Sequence, residues 1–196
     1  MLTEKLQNYN LILASGSPRR KDYLEALGFP FEVRVKPVAE NYDPSLKAEE
    51  IPVYLSKLKA SIQKDTLRPQ DILLTSDTIV WHQGQAIGKP DSEATAQQIL
   101  RQLSGSSHEV ISAICLTSVK KQTTAYAKTI VRFAMLLDEE IEFYVSQYQP
   151  MDKAGSYGIQ EWIGLIGIES IEGSYSNVVG LPTHLLYQEL NKFVEN

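Results

Sequence analysis

Cysteine is almost absent: Cys115 is the only one in 196 residues. That excludes an intramolecular disulfide and any zinc site built from several cysteines. Histidine is scarce too, and His82, His108 and His184 are scattered without metal-ligand spacing, so all three read as structural. Their positions support no Ser-His-Asp arrangement. There is no excess of positive charge; 19 basic against 24 acidic residues leave a net charge of -5. This balance argues against general binding to nucleic acid or a membrane surface. Any phosphate site must then be a local basic cluster on an acidic body. No apolar run approaches the length of a membrane span. The first residues, with Glu4 and Lys5, lack an apolar signal core, which makes the cytoplasm the default expectation. Internal repeats and low-complexity tracts are missing as well.

What is present is an ordinary globular composition, 43% hydrophobic and 22% charged, long enough for one domain or one two-lobed domain. The stretch Leu11-Ile12-Leu13-Ala14-Ser15-Gly16-Ser17-Pro18-Arg19-Arg20 stands out. It opens as a buried strand, breaks into small residues, and leads into a helical pattern with Tyr23, Leu24 and Leu27 on one side. A strand emptying into such a loop at a helix N-terminus is an anion site, because the first helical N–H groups have no partner within the helix. Arg19 and Arg20 read either as phosphate ligands or as surface residues. Positive charge is unfavourable at a helix N-terminus, which tilts the reading toward a bound anion. Ser15 and Ser17 read equally as phosphate donors and as helix caps.

Along the chain, residues 1–9 read as a polar lead-in and Gly28 as a C-terminal cap. Phe31–Val35 alternates like a strand with one buried face. A helix is expected over Ala48–Ile62, with Ile51, Leu55, Leu58 and Ile62 as its apolar stripe. Lys57 falls well off that stripe; Lys59 falls at its edge, where it could reach into a cleft. Asp71–Val80 is strand-like, Gln83-Gly84 suits a hairpin, and Ser92 caps a helix ending near Leu103. His108–Ser118 and Thr124–Phe133 read as long strands joined near Lys120-Lys121. A helix follows from Asp138 to Gln147, and Leu165–Ile171 reads as a strand. Pro182 opens a last helix with Leu185, Leu186, Leu190 and Phe193 on its apolar face. Helices and strands mix without a clean alternation, so the expectation is an α/β or α+β fold around a mixed sheet.

Asp77 interrupts an apolar strand. A lone buried carboxylate costs several kcal/mol, so Asp77 should be paired, capped or bound to a metal, unless it makes a strand-end turn. Thr78 beside it reads as a β-former, Glu40 as a solvated loop carboxylate, and Lys89 as a phosphate contact or a solvent-facing lysine. Together the residue types say more. Basic side chains suit a polyphosphate, and two carboxylates suit Mg²⁺, which takes oxygen ligands. No side chain is an obvious covalent nucleophile, which leaves water attack on phosphorus as the economical chemistry.

The motifs Ser15-Gly16-Ser17-Pro18-Arg19-Arg20, Asp77-Thr78, Gly88-Lys89-Pro90, Leu103-Ser104-Gly105, Asp152–Gln160 and Val178–Pro182 resemble those of the Maf family of nucleoside triphosphate pyrophosphatases. They occur in family order over nearly the whole chain. The resemblance implies a mixed, twisted sheet flanked by helices in a single two-lobed domain with a central cleft, related to inosine triphosphate pyrophosphatases. It implies hydrolysis of a nucleoside triphosphate to the monophosphate and pyrophosphate with a divalent metal, Mg²⁺ or Mn²⁺, held by Glu40 and Asp77. By position, Asp77 matches the family's proton acceptor, and Arg19, Thr78 and Gln160 match positions linked to substrate choice. Ser15, Arg20, Glu40, Lys59 and Lys89 match the remaining polar site residues. On this reading Arg20, Lys59 and Lys89 stabilise the departing pyrophosphate.

The Gly158-Ile159-Gln160 ending looks like the branch that takes dTTP and UTP, and the Gln160 amide has the donor and acceptor that a pyrimidine edge requires. The other readings are a 7-methyl-GTP or inosine-type enzyme, or a nucleotide-binding regulator of cell division. The resemblance also implies a homodimer. Two positions depart from the family pattern. Ala39 stands before Glu40 where an acidic residue is common, which bears on the metal. Glu161 follows Gln160 where glycine is usual, which bears on the base.

Overall fold

The computed structural model describes residues 1–195. In chain order the elements are α1 (Leu2–Leu6), β1 (Asn10–Leu13), α2 (Pro18–Ala26), β2 (Phe31–Val33), α3 (Glu50–Lys64), β3 (Asp71–His82) and β4 (Gln85–Ile87). Then come α4 (Glu93–Leu103), β5 (Ser107–Thr117), β6 (Gln122–Phe133), α5 (Asp138–Tyr148), a 3-10 turn (Ala154–Ser156), α6 (Trp162–Gly167), β7 (Ile168–Glu172), α7 (Tyr175–Val179) and α8 (Thr183–Glu195). The strands form one sheet in the order β2-β1-β3-β5-β6-β7, with β4 pairing β3. Pairing is parallel for β1 with β2 and β3, and antiparallel for β3 with β4 and β6 with β7. The mixed α/β arrangement expected from the sequence is the one that forms.

The described chain divides into two compact units, the first comprising residues 1–77, 112–127 and 180–195 and the second residues 78–111 and 128–179. In the first, alternation along the strands fills two apolar layers. Leu11, Leu13, Ile72, Leu74, Ile114 and Leu116 face one side with Leu24 of α2 and Leu186 and Leu190 of α8. Ile12, Leu73 and Cys115 face the other side with Ala60 of α3. Burial on both faces is why β1 reads as an unbroken apolar run. In the second unit Val80, Val110, Val131 and Phe133 pack with Leu100 of α4, Ile141 and Tyr144 of α5, and Tyr157. Gln83 and Gly84 both have positive φ, the geometry of a tight hairpin turn, and they join β3 to β4.

Four local expectations change. The polar lead-in contains α1, because Leu2 and Leu6 are spaced one helical turn apart and both are buried. The strand expected over Phe31–Val35 shortens to β2 and loses its buried face, since it is an edge strand with Val33 and Val35 exposed. In α3 the buried stripe rotates: Ile62 is exposed, and Gln63 is buried with its side-chain amide donating to the Arg34 carbonyl at 3.0 Å. The strand expected from Leu165 begins only at Ile168, because α6 comes first. Gly164 permits that helix; a Cβ there would lie 1.8 Å from the Ile159 carbonyl oxygen.

Candidate active site

The loop after β1 is built around Arg20. Its Nε donates to the Gly180 carbonyl at 2.9 Å, and its Nη1 donates to Ser15 Oγ at 3.1 Å and to the Ser76 carbonyl at 2.9 Å. Ser15 Oγ also accepts the Ser17 N–H at 3.3 Å. One guanidinium therefore fixes the Ser15 loop, the strand position before Asp77, and the chain ahead of α8. Burial lowers its pKa, Asp77 pushes it back up, and Arg19 lowers it again. An arginine so placed stays charged at any physiological pH. Arg19 is half-buried on the first turn of α2.

Lys59 leaves α3 toward two carboxylates. Its Nζ lies 2.6 Å from Asp77 Oδ1 and 2.9 Å from Glu40 Oε1. Asp77 is 6% exposed, and burial pushes its pKa above the ordinary carboxylate value. Lys59 and Arg20 pull that pKa down, and Glu40 raises it further. A carboxyl moved upward in this way is suited to exchange a proton nearer neutral pH. Glu40 is exposed, as its loop suggests, and it also shares the Lys59 ammonium with Asp77. No group of three or more His, Cys, Asp and Glu side chains gathers for a metal among the described residues. Two carboxylates converging on one positive charge nevertheless fit Mg²⁺ or Mn²⁺. These ions take hard oxygen ligands, and Mg²⁺ commonly completes its shell with substrate phosphates and water.

The structure thus brings Ser15, Arg20, Glu40, Lys59 and Asp77 together in the first unit, with Arg19 next to Arg20. Thr78, Lys89 and Gln160 belong to the second unit. Thr78 is the strand residue after Asp77, Lys89 is an exposed loop residue, and Gln160 is exposed. The Lys89 loop is tied down by the Gly155 N–H, which donates to the Gly88 carbonyl at 3.2 Å. Nearby, His108 Nε2 lies 2.7 Å from the Tyr157 hydroxyl. Burial, with His82 adding, lowers the His108 pKa to about 4, so its ring is neutral at neutral pH.

Sequence reasoning missed a second polar group. The Tyr144 hydroxyl donates to Glu161 Oε2 at 2.5 Å and accepts the Gly158 N–H at 3.0 Å. Lys153 Nζ lies 3.1 Å from Glu161 Oε1 and 2.7 Å from Asp152 Oδ1. Burial and the Glu161 carboxylate raise the Tyr144 pKa, which keeps the phenol protonated and donating. The only advance signal was Glu161 itself, as a departure from a motif.

A mixed sheet with helices on both faces defines the class as α/β. The Staphylococcus aureus Ham1 protein has a similar fold, at a TM-score of 0.50 and 15% identity over 92% of this chain and 99% of that one. The chain belongs to the Maf family: the model of Maf-like proteins matches residues 10–193. A Phocaeicola vulgatus protein named dTTP/UTP pyrophosphatase is 52% identical over 97% of this chain and 100% of its own length. One of the same name from Christiangramia forsetii is 48% identical over the full length of both. No described helix is long and apolar enough to cross a membrane.

Proposed function

We propose that this chain is a nucleoside triphosphate pyrophosphatase that hydrolyses dTTP and UTP to the monophosphate and pyrophosphate. Two full-length relatives carry that name, at 52% and 48% identity. The observation that carries the chemistry is the Glu40–Lys59–Asp77 group, with a buried carboxyl of raised pKa beside a lysine and the Arg20-braced loop.

Asp77 accepts the proton of the water that attacks the α-phosphorus. The P–O bond to the β-phosphate breaks, and pyrophosphate leaves. Lys59 and Lys89, with the fixed charge of Arg20, stabilise the negative charge that develops on the leaving group. Ser15 and the loop N–H groups orient the phosphates, while Arg19, Thr78 and Gln160 choose the base. Glu40 and Asp77 would hold the divalent cation, which when bound neutralises phosphate charge and polarises the phosphoryl oxygens. We place the reaction in the cytoplasm.

The test is pyrophosphate release across a panel of triphosphates with Mg²⁺ or Mn²⁺. The expected result is fastest turnover of dTTP and UTP, abolished by chelation. Replacing Asp77 with Asn should lower turnover roughly 10²–10⁴-fold while leaving nucleotide binding measurable. A purine optimum overturns the substrate, and tight binding without turnover in the wild type overturns the enzyme in favour of a nucleotide-binding regulator.

A further inference from the structure

Gln160 occupies a specific local geometry. The Glu161 N–H donates to the Gly158 carbonyl at 2.9 Å, which closes a β-turn over Gly158-Ile159-Gln160-Glu161 with Gln160 at its third position. Gly155 through Ile159 are buried, so Gln160 is the residue at which this segment re-emerges to solvent.

Both ends of that turn meet one phenol. Tyr144 of α5 accepts from the Gly158 N–H and donates to the Glu161 carboxylate. The second carboxylate oxygen pairs with Lys153, at the start of the same loop, whose side chain is 11% exposed. A charge-assisted bond from a buried phenol and a largely buried ion pair are directional and costly to break. Space adds a further constraint. A Cβ on Gly158 would lie 2.7 Å from Glu161 Cδ, so the carboxylate fits against a bare backbone.

We infer that Glu161 is a positioning residue for base selection: clamped by Tyr144 and Lys153, it fixes the β-turn that presents Gln160. The inference rests on the reading of Gln160 as a base-selecting residue. In this role Glu161 acts through the backbone conformation of its neighbour. Misplacing a recognition group by about 1 Å can cost on the order of 10²-fold in rate. The effect should fall on discrimination between bases, and not equally on every triphosphate.

The experiment measures kcat and KM for dTTP and GTP in the wild type and in Glu161→Gly, Glu161→Gln, Tyr144→Phe and Gln160→Ala, with melting temperatures alongside. The dTTP-to-GTP ratio of kcat/KM should fall by about tenfold in Glu161→Gly and in Tyr144→Phe, chiefly through a higher KM for dTTP. Glu161→Gln keeps an acceptor for the phenol and should retain most of the ratio. If Gln160→Ala lowers the ratio while Glu161→Gly and Tyr144→Phe leave it unchanged, the positioning role is overturned and base reading by Gln160 stands. A uniform loss of kcat for both substrates also overturns it, as that is the mark of a merely structural role. If Gln160→Ala leaves the ratio unchanged, the base reading fails and takes the inference with it.

Discussion

Asp77 carries a tension between stability and chemistry. Its carboxyl is buried, and burial raises its pKa despite Lys59 and Arg20. As pH rises past the ordinary carboxylate value, the unfolded chain releases its proton first. The folded state holds its own longer, so stability falls until the folded pKa is passed and then levels off. Asp77→Asn removes that cost yet can still accept the Lys59 hydrogen bond. We expect the variant to melt a few degrees above the wild type at pH 8, the difference vanishing near pH 4, in thermal scans at both values. A variant less stable at pH 8 would show that the Lys59–Asp77 pair outweighs desolvation. Asp77 was legible because a carboxylate inside an apolar strand demands a partner. The pairing of Glu40 with Lys59 was not, since residues 40 and 59 meet only through tertiary packing and only the family resemblance marked Glu40 for the site. Lys59 lay between these cases: helical geometry set it at the border of the buried stripe but could not name what it reaches.

At the scale of elements, the strand-loop-helix after β1 was readable because its logic is local, an apolar run ending in small residues and arginines. The brace on Arg20 was not, since Gly180 lies 160 residues away. The stretch from Asp152 to Gln160 is small and polar for a core element, yet Gly155–Ile159 are buried and pinned by Gly88, His108 and Tyr144. Gly155 shows why small residues are needed there. Its φ is +73°, and a Cβ would stand 2.7 Å from Val80 Cγ2. Gly155→Ala should therefore cost roughly 1–3 kcal/mol in denaturant unfolding. It should also lower turnover, because the bond from its N–H to the Gly88 carbonyl holds the loop of Lys89. Full activity with full stability in that variant would remove the segment from the positioning of Lys89.

For the whole molecule, the two compact units are not two pieces of sequence. The chain passes between them after Asp77, Ile111, Ala127 and Val179. The first three of these crossings fall inside β3, β5 and β6. Each unit has its own apolar cluster, which by itself would allow independent melting. Three continuous strands oppose that, because each of them runs from one unit into the other, so melting one unit frees half of a strand whose other half is still held. Cooperative unfolding should follow. The chain supplies its own probe: its two tryptophans, Trp81 and Trp162, both lie in the second unit. Their fluorescence reports that unit alone, while far-ultraviolet circular dichroism reports both. We expect the two denaturation curves to superimpose, with one midpoint and one slope. A fluorescence transition separated from the circular dichroism transition would mean that the shared strands do not couple the units, and that the second can open while the Glu40–Lys59–Asp77 group stays folded.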